Sequence, residues 1–152
     1  SAFVNGIFSI NNNKHHEIRT IINHLTENTK SYQLIKSVLE DSSRAVYQGK
    51  IFVNPKAQKT DGYQLSKAIL LNKDSEFNAK PELEIYADDV KCSHGSASGS
   101  LNEDSIFYLM SRGLNYQQSR ELLINGFLLD VVEKITDPEV KNLIKNMIGI
   151  KE

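Results

Sequence analysis

A short stretch of residues occurs twice, and this repeat limits the folds open to the chain more than any other feature. The first copy is Tyr32-Gln33-Leu34-Ile35-Lys36-Ser37-Val38-Leu39, and the second is Tyr63-Gln64-Leu65-Ser66-Lys67-Ala68-Ile69-Leu70. Short apolar segments also recur at a nearly regular spacing, centred near Val38, Phe52, Leu70 and Ile85. Recurrent short strands indicate a β-solenoid or a β-sandwich. We favour the solenoid because no Asn-Gly hairpin turn separates the segments.

Alternating patterns within the first 100 residues support strands. Residues 45–53 place small or apolar side chains at every odd position, and residues 82–88 show a similar two-residue period. Such a period buries one face of a strand and leaves the other face wetter. Turn-forming residues separate the runs: Ser9 to His16, Glu40-Asp41-Ser42-Ser43, Asn54-Pro55, Asp61-Gly62 and Asn72-Lys73-Asp74-Ser75.

The last 50 residues change to helical patterns. Ser100-Leu101-Asn102-Glu103 predicts a capping box at the start of one helix, and Gly113 predicts its end. Asn115 is expected to cap a second helix that runs to about Lys134, and Asp137-Pro138 to start a third. The second helix is apolar on nearly every side, so it is either buried against the strands or faces a partner.

Composition and charge exclude several classes of function. The chain has 18 basic and 19 acidic residues and a net charge of -1, so no nucleic-acid-binding surface is expected. No stretch reaches the roughly 18 apolar residues of a membrane span, and no secretory signal opens the chain. The single cysteine excludes an internal disulfide. Because the sequence starts Ser1-Ala2 without a methionine, we expect the chain to be a piece of a longer, non-secreted protein.

Charge is distributed unevenly along the strand region. Six basic residues and Asp61 alone lie between Arg44 and Lys73, whereas four acids and no base lie between Glu82 and Asp89. The two stretches form either solvated faces of opposite sign or surfaces that orient a partner. The acids also leave open a β-helical enzyme that acts on polysaccharides, although they follow one another in a single strand.

Cys92 and His94 are the residues most suited to chemistry. On a strand their side chains leave the same face, roughly 6.5 to 7 Å apart along the chain. A thiolate beside an imidazole makes half of an iron, zinc or iron–sulfur site, so the remaining ligands would have to come from elsewhere. A stand-alone metal-binding module, a Cys–His nucleophile pair and a buried face shared with Val90 are the alternatives. Three further histidines are expected to face solvent, namely His15, His16 and His24.

Three stretches of sequence carry a family resemblance. They read Gly49-Lys50-Ile51-Phe52-Val53 with Pro55 and Ala57-Gln58-Lys59-Thr60-Asp61, then Lys80-Pro81-Glu82-Leu83-Glu84-Ile85-Tyr86-Ala87-Asp88-Asp89-Val90-Lys91-Cys92-Ser93-His94-Gly95, and Phe107-Tyr108-Leu109-Met110-Ser111-Arg112-Gly113. These stretches resemble the C-terminal region of the SufB/SufD family of the SUF iron–sulfur cluster assembly system. Lys91 to Gly95 are similar to the SufD type.

The resemblance implies a mainly β fold, a right-handed parallel β-helix followed by helices. Residues 1–100 would form the last turns of the β-helix, and residues 101–152 a helical region that docks partners. It further implies a non-catalytic scaffold that pairs with a SufB-like subunit through the β-helix, where Cys92 and His94 would lie at the interface. ATP hydrolysis would belong to a SufC ATPase, since this chain has no Walker phosphate loop.

The helical region is also expected to bind the ATPase. The residues expected to dock the ATPase are Arg112, Leu122, Phe127, Leu128 and Val131. No cofactor is expected on the isolated chain. The resemblance implies an iron–sulfur cluster that is assembled transiently in the full complex, and it leaves open whether that complex binds FAD. The protein is expected in the cytoplasm or in a plastid-like organelle. The isolated chain is expected to self-associate, with a homodimer as one form, either at the N-terminal end of the β-helix or along the edge that faces the SufB-like subunit.

Overall fold

The computed structural model describes residues 1–150, in which seven strands precede three helices. The strands are β1 (Ala2–Ile10), β2 (His15–His24), β3 (Lys30–Leu39), β4 (Arg44–Val53), β5 (Asp61–Leu70), β6 (Glu76–Ile85) and β7 (Lys91–Gly99). The helices are α1 (Glu103–Ser111), α2 (Tyr116–Val132) and α3 (Pro138–Met147).

The strands build two parallel sheets that face each other. One sheet has the order β1-β3-β5-β7 and is called the odd sheet below, and the other has the order β2-β4-β6 and is called the even sheet. All neighbouring strands run parallel. The chain crosses from one sheet to the other after every strand, so each pair of strands completes one turn of a coil. This arrangement confirms the predicted β-solenoid, of about three turns, and excludes a sandwich of hairpins.

The sequence repeat sets the register between β3 and β5. Tyr32 pairs with Tyr63 and Leu39 with Leu70, so equivalent residues of the two copies lie side by side. One predicted turn was wrong. Asp61-Gly62 opens β5, because the amide of Asp61 already donates to the carbonyl of Thr29 at 2.9 Å and extends the ladder.

The space between the sheets holds an apolar core with a polar column inside it. Tyr47 and Ile51 on β4 are buried as the alternation predicted. Gln33 and Gln64 are also buried, and each is hydrogen-bonded: the Tyr47 hydroxyl donates to Gln33 Oε1 at 3.3 Å, and Gln64 Nε2 donates to the carbonyl of Gly49 at 3.2 Å. A Cβ on Gly49 would collide with the Gln64 carboxamide and the Tyr47 hydroxyl, which explains the glycine.

The helices begin at side-chain caps, although the first cap differs from the prediction. Asn102, and not Ser100, caps α1, because its side-chain oxygen accepts the amide of Ser105 at 2.7 Å. Asn115 caps α2 in a capping box, and Asp137 caps α3 with Pro138 in its first turn, both as predicted. In residues 1–150, no helix is long and apolar enough to cross a membrane.

Helix α2 covers the outer face of the odd sheet. Val38 on β3, Leu128 on α2 and Ile150 after α3 form one buried cluster, with Ile7 and Ile69 packed against it. This contact explains why α2 is apolar on more than one side, and it joins the helices to the β-solenoid.

Candidate functional site at the open end of the solenoid

The stack of strands ends at β7, and this end carries Cys92 and His94. Strand β7 pairs with β5 along one edge, and within the described residues no strand pairs with its other edge. The register places Cys92 beside Gly62 and His94 beside Gln64, on the face that points inward in the earlier turns. In the described part of the chain the even sheet stops at β6 and none of its strands lies opposite β7, so His94 is exposed while Cys92 is half-buried.

Cys92 packs at the edge of the core. It contacts a buried cluster that includes Ile51 and Ala87, together with Val90. Burial raises the pKa of the Cys92 thiol above its usual value, while the backbone amide of Gly62 partly offsets this increase. The thiol is therefore mainly protonated at neutral pH, and the structure does not supply the activation that a Cys–His nucleophile needs.

A gap the size of a methyl group lies below the thiol. A Cβ built on Gly62 would lie 3.4 Å from Cys92 Sγ and 3.6 Å from Nε2 of His24, which are ordinary contact distances. Glycine at this position therefore leaves space between the thiol at the open end and an imidazole in the interior.

His24 is buried, contrary to the expectation that it faces solvent. Its Nδ1 is 2.7 Å from Thr29 Oγ1, its Nε2 is 2.9 Å from Ser31 Oγ, and burial lowers its pKa. The signal that could have revealed this is parity, because His24 shares the inward face of β2 with Ile18 and Ile22. The expectation for the other two N-terminal histidines is confirmed, since both are exposed: His15 and His16.

The possible metal ligands near the open end of the solenoid are few. Among residues 1–150, no three side chains of His, Cys, Asp or Glu lie close enough together to hold a metal ion. Cys92 and His94 offer one soft sulfur and one imidazole nitrogen, which are fewer ligands than a stable tetrahedral site requires.

An ion pair and a hydrogen bond join the basic and acidic stretches across the turns of the solenoid. Gln48 Nε2 donates to Glu82 at 3.0 Å, Lys50 pairs with Glu84, and Arg44 pairs with Glu76 at 3.4 Å on the outer face of the even sheet. The stretches thus form a solvated face with internal ion pairs. Glu82 and Glu84 are thus hydrogen-bonded or paired on the outer face of the even sheet, and the polysaccharide-active alternative stays untested.

The predicted docking residues fall into two groups. Arg112 is exposed, with its guanidinium carbon 5.3 Å from the centroid of the Tyr108 ring, and Leu122 on α2 is 51% exposed. Three other predicted docking residues pack against the β-solenoid or the helices, namely Phe127, Leu128 and Val131. Leu128 and Val131 are each 3% exposed, which leaves little of either side chain for a partner. Phe127 is half-buried beside the cluster on the odd sheet, and its docking role stays a prediction.

Comparison with known proteins identifies the family. The family profile described as "SUF system FeS cluster assembly, SufBD core domain" matches residues 1–127. The chain belongs to the SufBD family. That assignment confirms the resemblance drawn from the motifs around Lys59, Cys92 and Arg112.

Several SufBD relatives are similar over most of the chain. The iron–sulfur cluster assembly protein SufD of Escherichia coli is 41% identical over 133 residues, which are 88% of this chain and 31% of that protein. The chloroplastic protein ABCI7 of Arabidopsis thaliana is 41% identical over 119 residues, 78% of this chain and 25% of that protein. A SufBD family protein of Synechocystis is 37% identical over 78% of this chain and 26% of its own length. The chain thus spans about a third or less of the length of these relatives, and two of the three are 41% identical to it, one of them a SufD protein.

Proposed function

We propose that the chain is the C-terminal part of a non-catalytic, SufD-like scaffold subunit of an iron–sulfur cluster assembly complex. The observation that carries this proposal is the position of Cys92 and His94 on the inward face of β7, at the end of the stack that no strand covers. A SufB-like subunit joins the β-solenoid at this end. Together with the family assignment, this placement favours a scaffold over an enzyme that acts alone.

The cluster, or its iron, is the cargo that the two subunits hold between them. Cys92 and His94 provide a sulfur and a nitrogen ligand, and the other subunit provides the rest, since this chain supplies only a half-site. Burial at the interface would also shield the cluster from water. Neighbouring β7 side chains are small, which lets another surface approach the ligands closely: Ser93, Gly95, Ser96, Ala97 and Ser98.

A substitution at His94 tests this role. In the full-length protein that carries this sequence, His94→Ala should reduce cluster assembly by about tenfold or more, because a half-site that loses one ligand binds metal weakly. Ser96→Ala is the matched control, since Ser96 is exposed on the same face of the same strand. Cluster formation can be followed by the visible absorbance of the purified complex. Wild-type assembly by the His94→Ala protein would contradict the proposed role.

The second part of the proposal is that a SufC ATPase docks on the exposed surface of α1 and α2. Phe107 and Tyr108 on α1 are 74% and 56% exposed, Arg112 follows α1 directly as its C-cap, and Leu122 lies on α2. Exposed aromatic and arginine side chains are enriched where proteins bind each other. This surface therefore replaces the buried residues of α2 as the proposed docking site.

Leu122→Glu tests this docking surface. The charge should reduce recovery of the ATPase in pull-down by at least about tenfold, because a desolvated carboxylate at an apolar contact costs several kcal/mol. Leu143→Glu on α3 is the matched control, since Leu143 is 58% exposed but lies outside the proposed surface. Equal ATPase recovery with both variants would reject the surface.

The remaining parts of the proposal concern the setting of the complex. We place it in the cytoplasm or in a plastid, and we propose no nucleic-acid or membrane partner. FAD in the assembled complex is a separate part of the proposal, and flavin absorbance of the purified complex tests it.

A further inference from the structure

Lys36 is a buried lysine on a face where lysines usually reach solvent. It lies on the outward side of β3, and its side chain is only 6% exposed because α2 covers it. Lys67, its neighbour in register on β5, is exposed. The same position of the repeat therefore holds one covered and one uncovered lysine.

Within residues 1–150, the polar contacts of the Lys36 ammonium are with α2. Its Nζ donates to the carbonyl oxygen of Phe127 at 2.7 Å and pairs with Asp130 Oδ2 at 2.7 Å. The ammonium also lies 4.5 Å from the centroid of the Phe127 ring. A buried ammonium without acceptors is strongly disfavoured, so a shift of α2 that removed these two acceptors while still covering Lys36 would cost free energy.

This ion pair fixes α2 in a way that the apolar contacts do not. Val38 and Leu128 hold the helix against the sheet, but apolar packing tolerates small slides and rotations. The hydrogen bond to one carbonyl and the ion pair with one carboxylate are directional, so a slide of the helix along β3 would lengthen both contacts. The other ion pair between α2 and the strand region is longer, with Arg120 3.9 Å from Glu40.

We propose that Lys36 is a positioning residue that couples α2 to the odd sheet, so that movement of the helices reaches the end that carries Cys92 and His94. The sheet offers a direct connection, because β3 is hydrogen-bonded to β5 and β5 to β7. The inference rests on the proposed function, in which an ATPase moves the helices. Without the Lys36 ion pair, ATP hydrolysis continues but no longer drives cluster assembly.

Lys36→Met is the central experiment, made in the full-length protein and studied in the purified complex. Methionine has a similar length and suits the apolar surroundings, and Asp130 is 58% exposed and can be solvated, so the fold should be retained. We expect the variant to keep its partners and to hydrolyse ATP within about twofold of wild type, while cluster formation falls by about tenfold or more. Lys67→Met is the matched control and should assemble clusters normally.

Asp130→Asn provides a second, surface-exposed variant that removes the charge of the pair and leaves the Phe127 carbonyl as an acceptor. Cluster formation should fall in this variant too, but by less than in Lys36→Met.

Hydrogen exchange should show that the α2 amides of Lys36→Met exchange about tenfold faster than those of wild type, while exchange in β3 and β5 is unchanged.

The outcomes separate this inference from the proposed function. Cluster formation at the wild-type level by Lys36→Met would overturn the coupling role. Loss of the ATPase from that complex would also overturn it, because Lys36 would then serve only to fold the docking surface. Failure of the wild-type protein to bind any ATPase would instead reject the proposed function. Retained partners, retained ATP hydrolysis and lost cluster formation would support the inference.

Discussion

The third turn of the solenoid and its final strand use the same positions for different purposes. Gln64 on β5 and His94 on β7 are neighbours in register and share one face of the odd sheet. Gln64 is 1% exposed and donates to the carbonyl of Gly49, whereas His94 is exposed. The strand pattern decides the face of each side chain, and the presence of a further turn decides whether that side chain is structural or free to bind.

A similar contrast exists in the even sheet. Ile51 on β4 is fully buried between neighbouring turns, while Ile85 at the end of β6 is 37% exposed. Residues at the last turn therefore contribute less to stability and are more available to another chain. The end of the stack is where the fold leaves ligands and apolar surface uncovered.

Substitutions at the paired positions should show the largest difference in stability. Gln64→Ala should lower the free energy of unfolding by about 2 to 4 kcal/mol, because it leaves a cavity and a buried carbonyl without a donor. His94→Ala should change it by about 0.5 kcal/mol or less, as expected for an exposed side chain. Urea denaturation of the two variants measures both values. Similar losses would show that the last strand is packed like the interior.

Acid sensitivity should separate the interior from the surface by a smaller amount. Burial lowers the pKa of His24 from its ordinary 6.5, so the unfolded chain takes up a proton more readily than the folded one. The stabilisation by neutral His24 is complete above about pH 6.5 and is lost as the pH falls through the lowered pKa. Urea unfolding over roughly pH 5 to 8 should show this decline.

His24→Gln should make stability less dependent on pH in this range, and His15→Gln, at an exposed position of the same strand, is the matched control. An unchanged pH dependence in His24→Gln would show that the buried imidazole is not the group responsible.

Much of the solenoid followed from local sequence signals. The repeat aligned Tyr32 with Tyr63, and the alternation in residues 45–53 identified the inward face of β4. Asn115 and Pro138 marked helix starts correctly. These signals work because strand parity and helix capping depend on residues that are close together in the chain.

Features that depend on contacts between distant residues were not predicted. Lys36 and Asp130 come together only because α2 folds back over β3, and nothing in the sequence near either residue indicates that contact. Leu128 and Val131 were expected to dock a partner for the same reason, since an apolar helix does not reveal what it packs against. The open position of His94 likewise required knowing where the strands stop.

Self-association should give the weakest effect and tests whether the final strand is an interface. Strand β7 offers an unpaired edge with small side chains, and such edges readily pair with other chains. We expect the isolated chain to form a dimer at high concentration in sedimentation velocity experiments. Ala97→Lys on β7 should weaken the dimer, because a charge on an edge opposes pairing.

Asn5→Lys on β1 is the matched control at the opposite end. A dimer weakened only by Asn5→Lys would place the contact at the first turn, and a strict monomer at high concentration would contradict self-association at either end.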